Sequence, residues 1–389
     1  MVIVSCTTKF HSYDLAEQLA KNELLTSLYT SFHSQKNRVF SSFHHRKDNE
    51  NIPVEKIKTL LPIAIGLKLA PKFEYEFNEL FDMYVSQVLS KTNKNFQIFI
   101  GWSGMSLHTI KKIKKQKKTV ILERGSSHIL YQNKILNQEY KKQLGIDYKI
   151  NVRVIEKELQ EYQEADFISV PSLFVKNSFI DYGVPENKLF YNPYGVSNLF
   201  NNINIAKKFD DKFRILYLGH MGVRKGLIYM FEALNKLNIP DDDFEVWFIG
   251  GLSDELRPIF EKHKKKNWIH FGFIEHNLLP SYISKCDVGI QPSIEEGLSR
   301  VIPQMLACGL PVIASKNTGG EDVIEDQLSG FIIPIRDSDI IKFHIEALFY
   351  DKNKLEYMQK QAAQTAFNKL EWTLYGDRYT NFIKTLLDN

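Results

Sequence analysis

The segment PSIEEGLSRVIPQMLACGLPVIAS (Pro292–Ser315) opens on two adjacent carboxylates, Glu295 and Glu296, followed at once by Gly297. Two acids and a conformationally free glycine in front of an apolar, helix-like stretch cost stability unless something polar binds there. Glu296-Gly297-Leu298-Ser299 would offer a carboxylate and free backbone N–H groups at a helix start, with Pro303 tolerable in the first turn. A second loop, GHMGVRKG (Gly219–Gly226), sets three glycines beside Arg224 and Lys225 just before another helical stretch. Glycines let a backbone approach a phosphate, and basic side chains at a helix N-terminus balance its charge. In a third loop, Gly272 stands between Phe271 and Phe273, where backbone groups could read a flat base or simply make a tight turn.

These loops need strands to hold them. RILYLG, FEVWFIGG, WIHFGF, DVGIQPS, LPVIAS and SGFIIP are short apolar runs, and helical patterns separate most of them. One such pattern is LIYMFEALNKL, with Ile228, Phe231, Leu234 and Leu237 on one stripe. Alternating strands and helices imply right-handed crossovers and a parallel sheet covered on both faces. The first half repeats this less clearly, with strand candidates VIVSCT, FQIFIGW, KTVILER and DFISVPS and helix candidates LAEQLAKNELL and KINVRVIEKELQEYQEA. The stretch Gln35–Lys72 stays unassigned, and the polar stretch after Pro193 and Gly195 reads as the interdomain connection. The expected architecture is α/β: two doubly wound domains, 1–195 and 196–370, facing across a cleft. A C-terminal helix over 371–389 is placed to cross back to the first domain. Ligands bind such sheets at the carboxyl ends of their strands.

Composition agrees with a globular protein of more than one domain: 389 residues, 43% apolar and 25% charged. No apolar run approaches the roughly 18–20 residues that span a bilayer, and MVIVSCTTKF reads as a first strand, not a signal peptide. The three cysteines fit reduced cytoplasmic thiols and have no metal-site spacing. Charge is uneven: residues 1–150 carry 23 Lys+Arg against 13 Asp+Glu, and the remainder 27 against 33. The excess peaks in KKIKKQKK (Lys111–Lys118), either a solvated helix face or a contact for an anionic partner such as a membrane surface. With no aromatic residue interleaved, the run is a poor nucleic-acid site.

Together the three loops meet the needs of a nucleotide-diphosphate-sugar: a base pocket, a ribose partner, diphosphate cations and a sugar-hydroxyl acceptor. The motifs YLGHMGVRKG, SYISKCDVGIQPSIEEGLSRVIPQMLACGLPVIAS, GGEDVIEDQLSGFIIP and ADFISVPSLFVKNSF, in that family's order, resemble the retaining glycosyltransferases of family 4, which have the two-domain GT-B fold. The resemblance implies sugar transfer from a UDP- or GDP-sugar to a glycan or lipid-linked acceptor, in bacterial surface polysaccharide biosynthesis. It implies a cytoplasmic enzyme, peripheral on the inner membrane face, with the lysine run on the acceptor side of the cleft.

Carried over residue by residue, Glu296 faces the donor sugar hydroxyls, and the N–H groups of Leu298 and Ser299 lie near the sugar and distal phosphate. Arg224 and Lys225 neutralise the diphosphate, with Gly219, Gly272, Phe273 and Gly297 framing the nucleotide. The ribose position, a Glu in the family pattern, is Gln304 here. The first domain departs further. TTKFHSYD has no glycine pair, so His11 and Ser12 occupy that loop, and Arg124-Gly125 stands where relatives have His-Gly. His128 or Arg124 is then the candidate near the reaction centre, with Glu123 a third. The mechanism so implied is front-face and needs no metal. A GT-B sugar-nucleotide epimerase and a non-catalytic nucleotide-sugar binder are the alternatives.

Overall fold

Strands buried on both faces read as nearly continuous apolar runs, and FRILYL at residues 213–218 has all six residues buried, its one charge, Arg214, paired with Asp210 and Glu245. The computed structural model describes residues 1–34, 36–37, 51–91, 96–201 and 210–388. Among them, the first sheet is built from β1 (Val2–Ser5), β2 (Leu25–Thr30), β3 (Ile57–Thr59), β4 (Ile98–Trp102), β5 (Thr119–Glu123), β6 (Phe167–Val170) and β7 (Leu189–Tyr191). The second has β8 (Phe213–Leu218), β9 (Phe244–Ile249), β10 (Trp268–Gly272), β11 (Val288–Gln291), β12 (Val312–Ser315) and β13 (Gly330–Ile333). Their orders are β3-β2-β1-β4-β5-β6-β7 and β10-β9-β8-β11-β12-β13. Every pairing is parallel. Two Rossmann-like sheets of this kind make the GT-B fold.

Strand order reverses beside β1 in one sheet and beside β8 in the other. A crevice opens at such a switch point, because the chains leaving the two neighbouring strands turn to opposite faces. The loops after β1 (residues 6–11) and β8 (residues 219–226) therefore border the space between the domains. The last helix, Trp372–Asp388, packs on helix Ser12–Lys21 of the first domain, with Gly376 against Gln18. Phe382 stacks on Phe190 of β7 at 4.1 Å, and Arg378 donates to Asn192 Oδ1 at 2.6 Å.

Several elements differ from the sequence expectation. The first helix ends at Lys21 instead of continuing through NELL, because Glu23 adopts a left-handed φ of 57° and Leu25 begins β2. Part of the unassigned stretch is ordered as β3 and the helix Leu61–Leu69, while residues 35 and 38–50 lie outside the described residues. The lysine run also has another place. Lys111–Lys115 closes the helix Leu107–Lys115, and Lys118 immediately precedes β5, whose far end, Glu123, reaches the interdomain cleft. In a parallel sheet the start of a strand lies opposite its carboxyl end, so the run sits at the end of the first domain remote from the cleft. There Lys114 pairs with Asp166, and Lys118 lies over the Phe96 ring at 3.4 Å. No helix among the described residues is long and apolar enough to cross a membrane.

Candidate active site

The loop after β8 and the segment after β11 are forced together by Gly226. Its φ is 66°, and a β-carbon there would lie 2.0 Å from the Pro292 carbonyl oxygen. A side chain is excluded on both counts. This contact brings two cations to two carboxylates. Lys225 Nζ bonds Glu296, and Arg224 reaches Glu295 with a 2.8 Å ion pair and a 2.9 Å bond to its carbonyl oxygen. Burial, then the neighbouring Arg224 guanidinium, push Lys225 down to about 7.

Glu295 is fully buried and ties the domains together. It accepts from Ser127 N at 3.0 Å, Ser127 Oγ at 2.6 Å and Gln132 Nε2 at 3.0 Å, all from the opposite domain. Burial alone would raise it, but Arg224 and the Ser127 hydrogen bonds outweigh burial and hold it below the usual carboxylate range. Arg224 also donates to Ser126 Oγ at 3.3 Å. Other straps join the same two surfaces. Arg336 and Tyr229 donate to the buried Glu139 at 2.6 and 2.8 Å, and Tyr191 OH and Leu173 N donate to Asp322 at 2.6 and 3.0 Å.

Between the domains lies a cavity of about 360 Å³. Lys225, Glu296, Gly219, Leu298, Ser299 and Arg300 line its second-domain wall; His11, Trp102, Glu123, Arg124 and Tyr194 line the first-domain wall. Glu296 and Lys225 thus meet the first domain across one space.

Other sequence candidates fall elsewhere. The Ser299 N–H is not free: it donates to Thr318 O at 2.9 Å, as Glu296 N does to Asn317 O at 3.0 Å. Arg124 reaches the cavity, but its guanidinium is engaged by Glu158 at 2.8 Å, Gln132 at 3.0 Å and the Ser127 carbonyl, which anchors the 124–128 loop. His128 does not line the cavity. It caps the helix Ile129–Leu144 by accepting from Leu130 N, and its ring is stacked on Tyr182 at 4.7 Å beside Tyr162 and Phe179. Burial and the Arg124 charge lower it to about 4, so it is neutral at pH 7. Arg224 stands behind the cavity wall, occupied by Glu295 and Ser126. Gln304 is half-buried on helix Val301–Ala307, Gly272 ends β10, and the exposed Phe273 follows it; none of these three borders the cavity.

Sequence reasoning missed Glu295, whose only signal was the doubled acid. It also missed that His11 and Glu123 meet: His11 Nε2 lies 2.9 Å from Glu123 Oε2, and Tyr379 OH donates to Glu123 Oε1 at 2.6 Å. Those three residues are more than a hundred positions apart from one another along the chain, so no local pattern could pair them.

Residues 200–365 match the sequence profile of glycosyl transferases group 1. The chain is 24% identical to an uncharacterized 41.2 kDa protein in the cps region of Klebsiella pneumoniae, over 66% of this chain and 76% of that one. It is 23% identical to the amylovoran biosynthesis glycosyltransferase AmsK of Erwinia amylovora, over 63% of this chain and 59% of that one. Its fold is similar to that of Anabaena HepE in complex with UDP-glucose, at a TM-score of 0.67 and 16% identity over 99% of each chain.

Proposed function

We propose that this chain, whose residues 200–365 match the glycosyl transferases group 1 profile, is a glycosyltransferase that transfers a hexosyl group from a UDP- or GDP-sugar to a hydroxyl of a glycan or lipid-linked acceptor, with retention of anomeric configuration. The observation that carries the reading is the pair Lys225 and Glu296 on one wall of the interdomain cavity. A cation and a carboxylate held side by side suit the two ends of a sugar diphosphate: ammonium to the phosphate, carboxylate to the sugar hydroxyls.

In this scheme diphosphate charge is met by Lys225, with Arg224 fixing the loop behind it, so the protein supplies the cations and the reading calls for no metal. Such preorganised charge stabilises the departing diphosphate without reorganisation at the moment of reaction. Leu298 N–H, which has no protein acceptor among the described residues, is free for a ligand oxygen. Gln304 is assigned to the ribose hydroxyls, where an amide donates to one and accepts from the other, and Gly272 and Phe273 to the base, the nucleotide extending past the cavity along the carboxyl edge of the second sheet, where β10 ends at Gly272. A role in bacterial surface polysaccharide biosynthesis is supported by the names of the AmsK and cps-region relatives, and a cytoplasmic location belongs to the same reading.

The test is a thermal-shift screen of UDP- and GDP-sugars, then product analysis by NMR for anomeric configuration with and without EDTA. A ligand at 100 times its dissociation constant stabilises by about 2.7 kcal/mol. Stabilisation by neither nucleotide series overturns the reading, and donor isomerisation without transfer replaces it with an epimerase. Gln304→Leu is expected to raise the UDP dissociation constant about tenfold, the loss of roughly one hydrogen bond.

A further inference from the structure

The first-domain wall holds a built polar device that donor binding does not use. His11, 4% exposed, is packed among Trp102, Tyr194 and Tyr375, with ring centroids at 5.0, 4.3 and 6.2 Å. Its Nε2 bonds Glu123 Oε2 at 2.9 Å, and the other oxygen of Glu123 accepts from Tyr379 OH at 2.6 Å. A carboxylate that accepts on both oxygens fixes the imidazole proton on Nε2. Nδ1 then carries the lone pair, and among the described residues it has no protein partner. The ring itself lines the cavity that Lys225 and Glu296 border from the other side.

We propose that His11 is the acceptor contact of the cleft: Glu123 holds its proton on Nε2, and Nδ1 accepts a hydrogen bond from the acceptor hydroxyl and positions it for the sugar. The inference rests on the nucleotide-sugar reading of the cleft. A lone pair repels phosphate oxygens, which carry no proton, so this nitrogen selects a hydroxyl over the diphosphate. The diphosphate has its cation on the opposite wall. Tyr379 and Arg300 complete the device from afar. Tyr379 comes from the terminal helix. Arg300, from the second domain, donates to Phe10 O at 3.2 Å and pairs with Asp14 at 3.4 Å, gripping the His11 loop from both sides. Glu123 and Tyr379 are positioning residues.

The tautomer is read first, by long-range proton–nitrogen NMR on 15N-histidine-labelled protein with UDP, His11 being assigned through His11→Gln. A bare Nδ1 with protonated Nε2 is expected; a proton on Nδ1 at pH 7.5 overturns the proposal. Turnover is read with UDP-glucose, UDP-galactose or GDP-mannose as donor and octyl β-D-glucoside as the hydroxyl probe. His11→Gln and His11→Ala are expected to lower kcat/KM for the glycoside at least 100-fold, with the UDP dissociation constant within twofold of wild type.

Glu123→Gln removes the carboxylate that fixes the Nε2 proton, so the same spectrum is expected to show a mixed tautomer in that variant, with the UDP dissociation constant within twofold of wild type. Glycoside kinetics unchanged in folded His11 variants, or UDP affinity lost in proportion, overturns the proposal. Where octyl glucoside is not used, the tautomer decides alone. If the wild type binds neither UDP nor GDP, the nucleotide-sugar reading fails instead, a result separate from any effect of His11.

Discussion

Gly297 of the second domain rests on Gly125 of the first so closely that a β-carbon at position 297 would lie 1.8 Å from the Gly125 carbonyl oxygen. Two glycines therefore make the backbone contact beside Glu296, and Ser172 Oγ donates to the Gly297 carbonyl at 2.7 Å alongside it. Gly297→Ala is expected to hold the domains apart and cut transfer at least 100-fold, since a displacement near 1 Å costs about that much. Small-angle scattering should show a larger radius of gyration, with each domain still folded. Normal turnover in Gly297→Ala would mean that the closed arrangement is not the reactive one.

Lys225 gives a pH signature. With Lys225 lowered to about 7, the empty site holds a neutral amine above that pH. A bound diphosphate favours the cation and raises the value, so binding takes up a proton above pH 7. Nucleoside-diphosphate affinity should then fall as pH rises from 7 toward the bound value, with no contribution from this group below 7. Titration calorimetry with UDP at pH 8, in two buffers of different ionisation enthalpy, should report uptake approaching one proton. The uptake should vanish in Lys225→Met. Equal heats in both buffers for the wild type would remove Lys225 from the diphosphate site.

Adjacent carboxylates should fail in different ways. Glu296 borders the cavity, so Glu296→Ala should abolish transfer while leaving the melting temperature nearly unchanged. Glu295 is buried under Arg224, Ser127 and Gln132, and Glu295→Ala strands those partners. Breaking a buried pair costs about 3–5 kcal/mol, and urea unfolding should show a loss of that order. The reverse pattern, a stable Glu295→Ala and an active Glu296→Ala, would exchange their roles.

The lysine run makes a prediction about surfaces. Lys111, Lys112, Lys115 and Lys117 are exposed at the end of the first domain remote from the cavity. At about 1 kcal/mol per lysine near an anionic bilayer, fading within a Debye length, four of them should bind anionic vesicles at low salt and release them as salt rises. Replacing all four with Gln should abolish co-sedimentation and leave UDP affinity unchanged. Equal sedimentation with neutral vesicles, or none with either, makes the run a solvated helix face.

The second domain was legible because each strand is a short apolar run followed directly by its functional loop. Arg224, Lys225 and Glu296 stand within a few residues of β8 and β11, so pattern and chemistry coincide in the chain. Where the pattern is weaker the reading fell short: β2 hid behind a helix that Glu23 terminates, and β3 lay in the unassigned stretch. The lysines of 111–118 carry charge but no address, and only the direction of β5 put them opposite the cleft. His128 was a candidate because it follows Arg124-Gly125, which stands where relatives have His-Gly. In the structure its Nδ1 accepts from Leu130 N as a helix cap, and rings from residues 162, 179 and 182 enclose it. Local order therefore determined the second sheet, strands β1, β4, β5 and β6 of the first, and the second-domain wall of the site. The tertiary structure alone decided which side chains on the first-domain wall meet, because His11, Glu123 and Tyr379 come together only when the terminal helix crosses back onto the first domain.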